Sequence, residues 1–407
     1  MSLPFLLVGD HPQLPSGLGR ILRDLAERLA QDRALDLDVR VLGCRPEGSG
    51  PDGVEGSSIP VWSFTASDDL GESIVQHAQW AWSRWWGQKE GVLLSIWDAA
   101  RIHALTTMRG PWQHWGYVPV DGAMPGGGWQ GPAADAVRRL DRVLAYGAYG
   151  SGVLAQTVGK PVPFLPHGLA DSWWTPATLQ EAKPHIDEAI SAQRTFKEQI
   201  DVERRKWLGI VMTNQPRKDW GLAIATLAEL RSRGHKVKLW AHTDRAVGSA
   251  WSLPQLLDVH GLSRKSLNLS LSGEHWSDEQ LRQAYQRCGV TLLPTLGEGF
   301  GYPLVESLAA GVPVIHSTEA GGAELVPRPE WKVPLRGRRI EGAHAIVRPV
   351  FDPKDWANAV ERVWGWQDTW VDQGRSYCMG SVAHLRWDNL WLQWRSWIAK
   401  GLREIES

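Results

Sequence analysis

The chain has 407 residues, too many for one ordinary hydrophobic core and enough for two domains of about 200 residues each. Hydrophobic residues make up 43% and charged residues 22%, the balance of a globular protein, and a net charge of −1 excludes a global attraction to nucleic acid or anionic lipid. No run of eighteen apolar residues occurs, so no membrane span is expected, and three widely separated cysteines (Cys44, Cys288, Cys378) without a Cys-x-x-Cys pair suggest neither a disulfide framework nor a zinc site.

The opening residues lack the basic start and cleavage site of a signal peptide and read as a first buried strand over 5–9. With the cysteine usage, this points to a reducing cytoplasm. A loop over 11–16 follows, then a helix over 19–30 with Ile21, Leu22, Leu25 and Leu29 on one face. Further strands are expected at 39–42, 60–64, 92–97, 117–120, 143–146 and 162–165. Ile74, Ala78, Trp82 and Trp85 mark a buried helix face that stops at Gly87. Such alternation implies a largely parallel sheet with helices on both sides.

Residues 172–206 are polar and charge-mixed and read as an interdomain connection with a helix of its own over 179–203. A second alternating series starts at 207, with strands at 207–212, 237–241, 267–271, 290–293 and 312–316. Its helices are expected at 222–233, 278–287 and 304–310, and two long helices, 353–372 and 381–402, close the chain. The expected organisation is therefore an N-terminal domain over 1–171, the connection, a second domain over 207–372, and a terminal helical segment over 373–407. Most of the 25 tryptophans are expected in the cores; Trp387, Leu390, Trp391, Trp394, Ile398 and Leu402 form one apolar helical stripe.

The most informative segment runs from Pro294 to Glu306. A strand leads into a glycine-bracketed loop, Gly297-Glu298-Gly299-Phe300-Gly301-Tyr302, and a helix opens with Pro303 near its first position and ends at Gly311. Gly299 and Gly301 let a ligand approach the backbone amides, and the helix start offers unpaired N–H groups suited to a diphosphate. Glu298 in the loop and Glu306 in the helix, seven residues apart, can address two parts of one extended ligand. Carboxylates repel a diphosphate, so hydroxyl groups are their expected partners.

This segment resembles the signature of glycosyltransferase family four, retaining enzymes of the GT-B fold. The spacing of the two glutamates, the Gly-Phe-Gly, the helix-starting proline and the following Ala310-Gly311-Val312-Pro313 all agree. The resemblance implies an α/β fold of two facing Rossmann-like domains with mostly parallel sheets, the C-terminal helix crossing back to the first. It also implies that the N-terminal domain takes the acceptor and the C-terminal domain a nucleoside-diphosphate sugar, UDP-linked by expectation, with no cofactor and no metal. Glu298 would hold hydroxyls of the transferred sugar, Glu306 the ribose, and Phe300, Gly301 and Tyr302 would present amides to sugar and phosphate.

Other segments extend the resemblance. Gly17 and Gly19, in the loop after the first strand, correspond to glycines that admit donor phosphates or acceptor, although a plain helix start explains them as well. Lys218 matches the family lysine that neutralises the donor diphosphate. The family arginine is replaced by about Met212, and Arg217 is the candidate substitute. Asp121 stands where many relatives have a histidine. It either hydrogen-bonds a sugar or orients the acceptor, or is a turn residue before Gly122. Pro166-His167-Gly168 resembles the exit from the first domain, with His167 structural. In Gly273-Glu274-His275-Trp276-Ser277, Trp276 could pack on the nucleotide base and Ser277 cap the following helix.

Retention points to front-face attack, in which the leaving phosphate helps deprotonate the acceptor and no separate general base is needed. The other readings are a sugar-nucleotide epimerase and an inactive sugar-nucleotide binding protein. The opening residues 8–20 also look like compact members of the family encoded by bacteriophages, some of which decorate hydroxymethylated pyrimidines in DNA. Arg328, Lys332, Arg336, Arg338 and Arg339, against one acid, Glu330, and with Trp331 among them, form a patch suited to such an acceptor. A small molecule, lipid or saccharide is the broader expectation. The sequence does not specify the oligomeric state.

Overall fold

The computed structural model describes residues 2–46, 50–52, 58–66, 71–174, 206–248, 250–271, 276–369 and 371–406. The helix expected over 179–203 lies outside the described residues, as do Gly273, Glu274 and His275. The chain divides into two compact units. The first comprises 1–168, 340–347 and 387–407; the second comprises 169–339 and 348–386.

In the first unit the run Leu-Pro-Phe-Leu-Leu-Val-Gly-Asp has six consecutive buried residues in its middle. A strand so continuously apolar needs cover on both faces, the condition of a parallel sheet interior. It forms β1 (Leu3–Asp10), paired in parallel with β2 (Leu37–Cys44) on one side and, on the other, with β5 (Gly91–Ile96). β3 (Gly50–Asp52) and β4 (Val61–Phe64) extend the sheet beyond β2, and β6 (Trp112–Val118) and β7 (Arg142–Ala145) extend it beyond β5. The order is β3-β4-β2-β1-β5-β6-β7, with only β3 antiparallel. The helices are α1 (Gly17–Gln31), α2 (Glu72–Trp86), α3 (His103–Thr107), α4 (Gly131–Arg139) and α5 (Ala148–Val158).

The second unit repeats the plan. Its sheet is ordered β10-β9-β8-β11-β12-β13 and is parallel throughout. The strands are β8 (Trp207–Val211), β9 (Lys238–Thr243), β10 (Leu267–Leu271), β11 (Val290–Leu292), β12 (Val314–Ser317) and β13 (Lys332–Val333). Between them run α6 (Trp220–Ser232), α7 (Leu253–Val259), α8 (Asp278–Gln286) and α9 (Tyr302–Ala309). α10 (Pro353–Thr369) and α11 (Val371–Val382) complete it. Leaving the added β3 aside, both sheets have the doubly wound order in which the first strand of the series is central and the chain reverses direction beside it. Ligands in such sheets bind at that reversal, outside the carboxyl ends of the strands.

The last helix, α12 (Trp387–Glu406), belongs to the first unit. Trp387 and Trp394 of its stripe are buried and Trp391 half-buried, and each of these indole N–H groups finds an acceptor: Trp387 donates to Asp24 at 2.9 Å, Trp391 to Asp32 at 3.0 Å and Trp394 to the Pro166 carbonyl at 2.9 Å. Arg142 lies over the rings of Trp115 and Trp397 and donates to the Trp397 carbonyl. Large aromatic area with a satisfied polar tip fixes this helix in place.

Three expected elements differ. The strand expected at 117–120 runs instead over Trp112–Val118, because Pro119 cannot continue a ladder and the polar His114 is hidden by a bond with Ser95 Oγ at 3.1 Å. The strand expected at 162–165 is a single bridge between Ala145 and Phe164, since Pro161 and Pro163 lack N–H donors. The long helix expected at 381–402 is broken: Arg386 is extended, and the Leu385 carbonyl accepts from Leu169 N–H rather than from a following turn.

Candidate functional site

The switch point of the second sheet lies between β8 and β11, which pair through Leu208 with Val290 and Gly209 with Thr291. Past β8 the chain enters a turn whose shape is set by side chains. The Asn214 N–H donates to Asp244 at 2.6 Å, and its amide nitrogen donates to the carbonyls of Arg245 and Trp251. Asp219 caps α6 by accepting from the Leu222 N–H at 2.8 Å. Arg217 and Lys218 are thereby held just before that helix.

Past β11 the chain runs antiparallel to this turn. Asp219 N–H donates to the Pro294 carbonyl and Leu296 N–H to the Arg217 carbonyl, with a bridge between Lys218 and Thr295. This short backbone ladder sets Lys218 against Glu298. The Lys218 ammonium makes a close ion pair with Glu298 Oε1, and Arg217 Nη1 reaches the same oxygen at 3.2 Å and the Gly297 carbonyl at 2.9 Å. Glu298 is 5% exposed and Lys218 6%, so both charges are buried and depend on each other. Burial by itself raises the Glu298 pKa, but the Lys218 and Arg217 charges outweigh it and hold the carboxyl at about 2.

Gly301, with φ +98°, begins α9 in a left-handed conformation, and Pro303 follows in the first turn. Glu306, 3% exposed, accepts from the Tyr285 hydroxyl of α8 at 2.8 Å. Tyr285 in turn is packed edge-on by Trp173 and Trp240. Phe300 and Tyr302 meet edge to face at 5.9 Å. Half-buried Trp276 lies near-parallel to Trp240 at 6.3 Å and 5.0 Å from the His242 ring, while Ser277 caps α8 with Gln280 in a capping box. The second unit thus gathers Arg217, Lys218, Glu298, Gly299, Phe300, Gly301, Tyr302 and Glu306 on two loops and one helix start.

Gly17, Gly19 and Asp121 belong to the first unit. Gly17 is exposed at the start of α1. Gly19 is buried, and a Cβ there would lie 2.7 Å from the His11 carbonyl oxygen, so it is glycine because its own turn is tight. Ser16 caps α1 through Gly19 N–H at 3.0 Å and donates to Asp10 at 2.7 Å. Asp121 is half-buried in the loop after β6. His167, completely buried, shares a 2.9 Å hydrogen bond with the Tyr117 hydroxyl.

The basic patch changes character in three dimensions. Arg328 pairs with Glu330, Arg336 with Asp355 at 2.6 Å and Arg338 with Glu319 at 3.2 Å. Trp331, expected as an aromatic wedge, is 0% exposed and packed against Trp366 and Tyr377, so it cannot stack on a base. Sequence reasoning missed Tyr285, whose position in an amphipathic helix marks it only as core, and His316, considered below.

Residues 207–365 match the family model of group 1 glycosyl transferases. The fold and this domain define the class: the protein is a glycosyltransferase with the GT-B fold. Among solved structures, the sucrose-phosphate synthase of Thermosynechococcus elongatus is similar at a TM-score of 0.70 and 17% identity, over 99% of this chain and 100% of that one. HepE of Anabaena, solved in complex with UDP and glucose, is similar at 0.68 and 15% identity, over 98% and 100% of the two chains. The pneumococcal O-GlcNAc transferase GtfA, solved with UDP and GlcNAc, is similar at 0.63 and 9% identity over 98% and 99%. No curated protein matches the sequence.

Proposed function

We propose that the protein is a retaining glycosyltransferase of the family-four type that moves a sugar from a nucleoside-diphosphate donor, UDP-linked, to a hydroxyl acceptor in the cytoplasm. The observation that carries this reading is the buried Lys218–Glu298 pair at the switch point, with Glu306 seven residues further on and oriented by Tyr285. In the reaction the anomeric C–O bond to the diphosphate breaks and a bond to the acceptor oxygen forms on the same face. The acceptor proton passes to the departing phosphate oxygen. Lys218, Arg217 and the amides at the start of α9 stabilise the charge growing on that leaving group. Glu298, held ionised, accepts hydrogen bonds from the sugar, and Glu306 accepts them from the ribose. Positive charge comes from side chains and backbone amides, so the chemistry requires no metal or cofactor. The acceptor site would be in the first unit, where Asp121 is a candidate contact.

Because at least three of the five cations of the basic patch are ion-paired and Trp331 is buried, a saccharide, lipid or small molecule is favoured over modified DNA. UDP in HepE and GtfA supports the donor base. The test is incubation with a panel of nucleoside-diphosphate sugars, measuring release of the free diphosphate. Product formed with a matched acceptor is then examined by NMR for its anomeric configuration. An inverted product would overturn retention, and no release or thermal stabilisation with any donor would overturn the site assignment.

A further inference from the structure

His316, on β12, is entirely buried behind the Glu298 loop. Its Nδ1 lies 2.8 Å from the Leu293 carbonyl, which can only accept, so Nδ1 carries the proton. Burial lowers its pKa despite the Leu293 bond and the Glu298 charge, which leaves a neutral ring with a bare lone pair on Nε2. Among the described residues that nitrogen has no hydrogen-bond partner. The space in front of it is taken by Gly322, where a Cβ would come within 2.5 Å of Nε2.

The turn that follows β12 is unusual in its backbone. Ala320 has φ 62° and ψ −174°, a conformation otherwise left to glycine, which an alanine keeps only when its surroundings over-determine it. The reason lies in the next residue. Gly321 N–H donates to the Glu298 carbonyl at 3.0 Å, and a Cβ on Gly321 would sit 2.5 Å from the Gly299 oxygen and 3.0 Å from that of Glu298.

We infer that the turn Ala320–Gly322, seated on the His316 ring, is a positioning element that fixes the backbone of Glu298. Lys218 and Arg217 hold the carboxylate, and the turn holds the peptide behind it. The ring acts chiefly as a tie: its proton joins β12 to the end of β11, and Gly322 packs against its opposite edge. Gly321 is a glycine because a side chain would push the turn off the loop, and Gly322 because one would strike the His316 ring. None of these residues touches a ligand in this scheme; each acts through Glu298. The inference rests on the donor-site reading given above.

The test uses the full chain and two readouts, turnover in donor hydrolysis and inhibition by free UDP. UDP is held by Glu306 and the diphosphate contacts, so its inhibition constant reports the rest of the site. Gly321→Ala is expected to lower turnover at least about tenfold while the UDP inhibition constant stays within about twofold, as for loss of preorganisation at one group. Unchanged turnover overturns the proposal. If Gly321→Ala instead loses UDP binding and thermal stability together, the His316 pair decides. His316→Asn keeps a donor to Leu293 and is expected to retain at least about half the turnover, whereas His316→Leu loses at least about tenfold with UDP binding intact. Equal turnover in the two overturns the proposal. A wild-type protein that hydrolyses no donor overturns the functional reading and this one with it.

Discussion

Replacing Lys218 with methionine removes an ammonium group from a buried carboxylate and leaves the volume nearly unchanged. In the native protein Glu298 is 5% exposed and its carboxyl is drawn from the ordinary 4.5 to about 2. That drop corresponds to about 3 kcal/mol at ~1.36 kcal/mol per pKa unit, with Arg217 supplying part of it. Because the group is buried, solvent screening takes little away. Removing one partner of a buried pair costs ~3–5 kcal/mol, in agreement. A loss of about 3 kcal/mol from the second unit lowers its thermal midpoint by about 6–12 °C. Differential scanning calorimetry at pH 7 measures it. The sign with pH is fixed: a lowered carboxyl pKa stabilises fully above about 4.5, and that contribution disappears as pH falls through about 2. The deficit of Lys218→Met is therefore expected to shrink on acidification, as its unpaired Glu298 takes up a proton first. The charge-free double variant Lys218→Met/Glu298→Gln should recover part of the loss. A midpoint within about 1 °C of wild type, or a double variant no more stable than the single, would refute the reasoning.

Three further outcomes are expected. Glu298→Gln should lower donor turnover by at least about tenfold, whereas Tyr285→Phe should chiefly raise the donor KM, because it removes the hydroxyl that donates to Glu306; steady-state kinetics separate the two. Ala320→Gly should stabilise the second unit by about 1 kcal/mol, the relief of backbone strain less the added freedom of glycine in the unfolded chain, read from urea unfolding. His114 is fully buried and its pKa is pushed by burial to about 3, so the first unit binds a proton there more weakly than the unfolded chain does. Its stability should decline as pH falls below about 6.5, and the decline should flatten in His114→Gln, measured by calorimetry between pH 7 and 4.

The parallel sheets were legible because their strands are short apolar runs separated by amphipathic helices, a pattern that survives without knowledge of the partners. The donor loop was legible because Gly299, Gly301 and Pro303 carry local backbone requirements in their identity. What was not legible depended on contacts distant in sequence. His316 reads as one polar residue in a buried strand, and only the fold shows Leu293 on one edge and Gly322 on the other. Tyr285 is an ordinary core tyrosine until α8 and α9 are packed. The basic run 328–339 reads as a patch because, Glu330 apart, its counter-ions lie outside it: Asp355 and Glu319 are each 19 residues from the arginine they pair with. The break before Trp387 escaped notice because Leu169 supplies the competing hydrogen bond.

The first unit is discontinuous in sequence: it takes its last helix from residues that follow the whole of the second. During synthesis, the second unit is complete once Arg386 has left the ribosome, while the first, though begun earliest, still lacks α12. Until then Asp24, Asp32 and the Trp115 face wait without the indoles and the ring that cover them. The order of maturation therefore runs opposite to the order of translation. A ribosome that stalls or a message that ends before Trp387 leaves a finished second unit attached to an unfinished first, a species with apolar surface for chaperones and proteases to find.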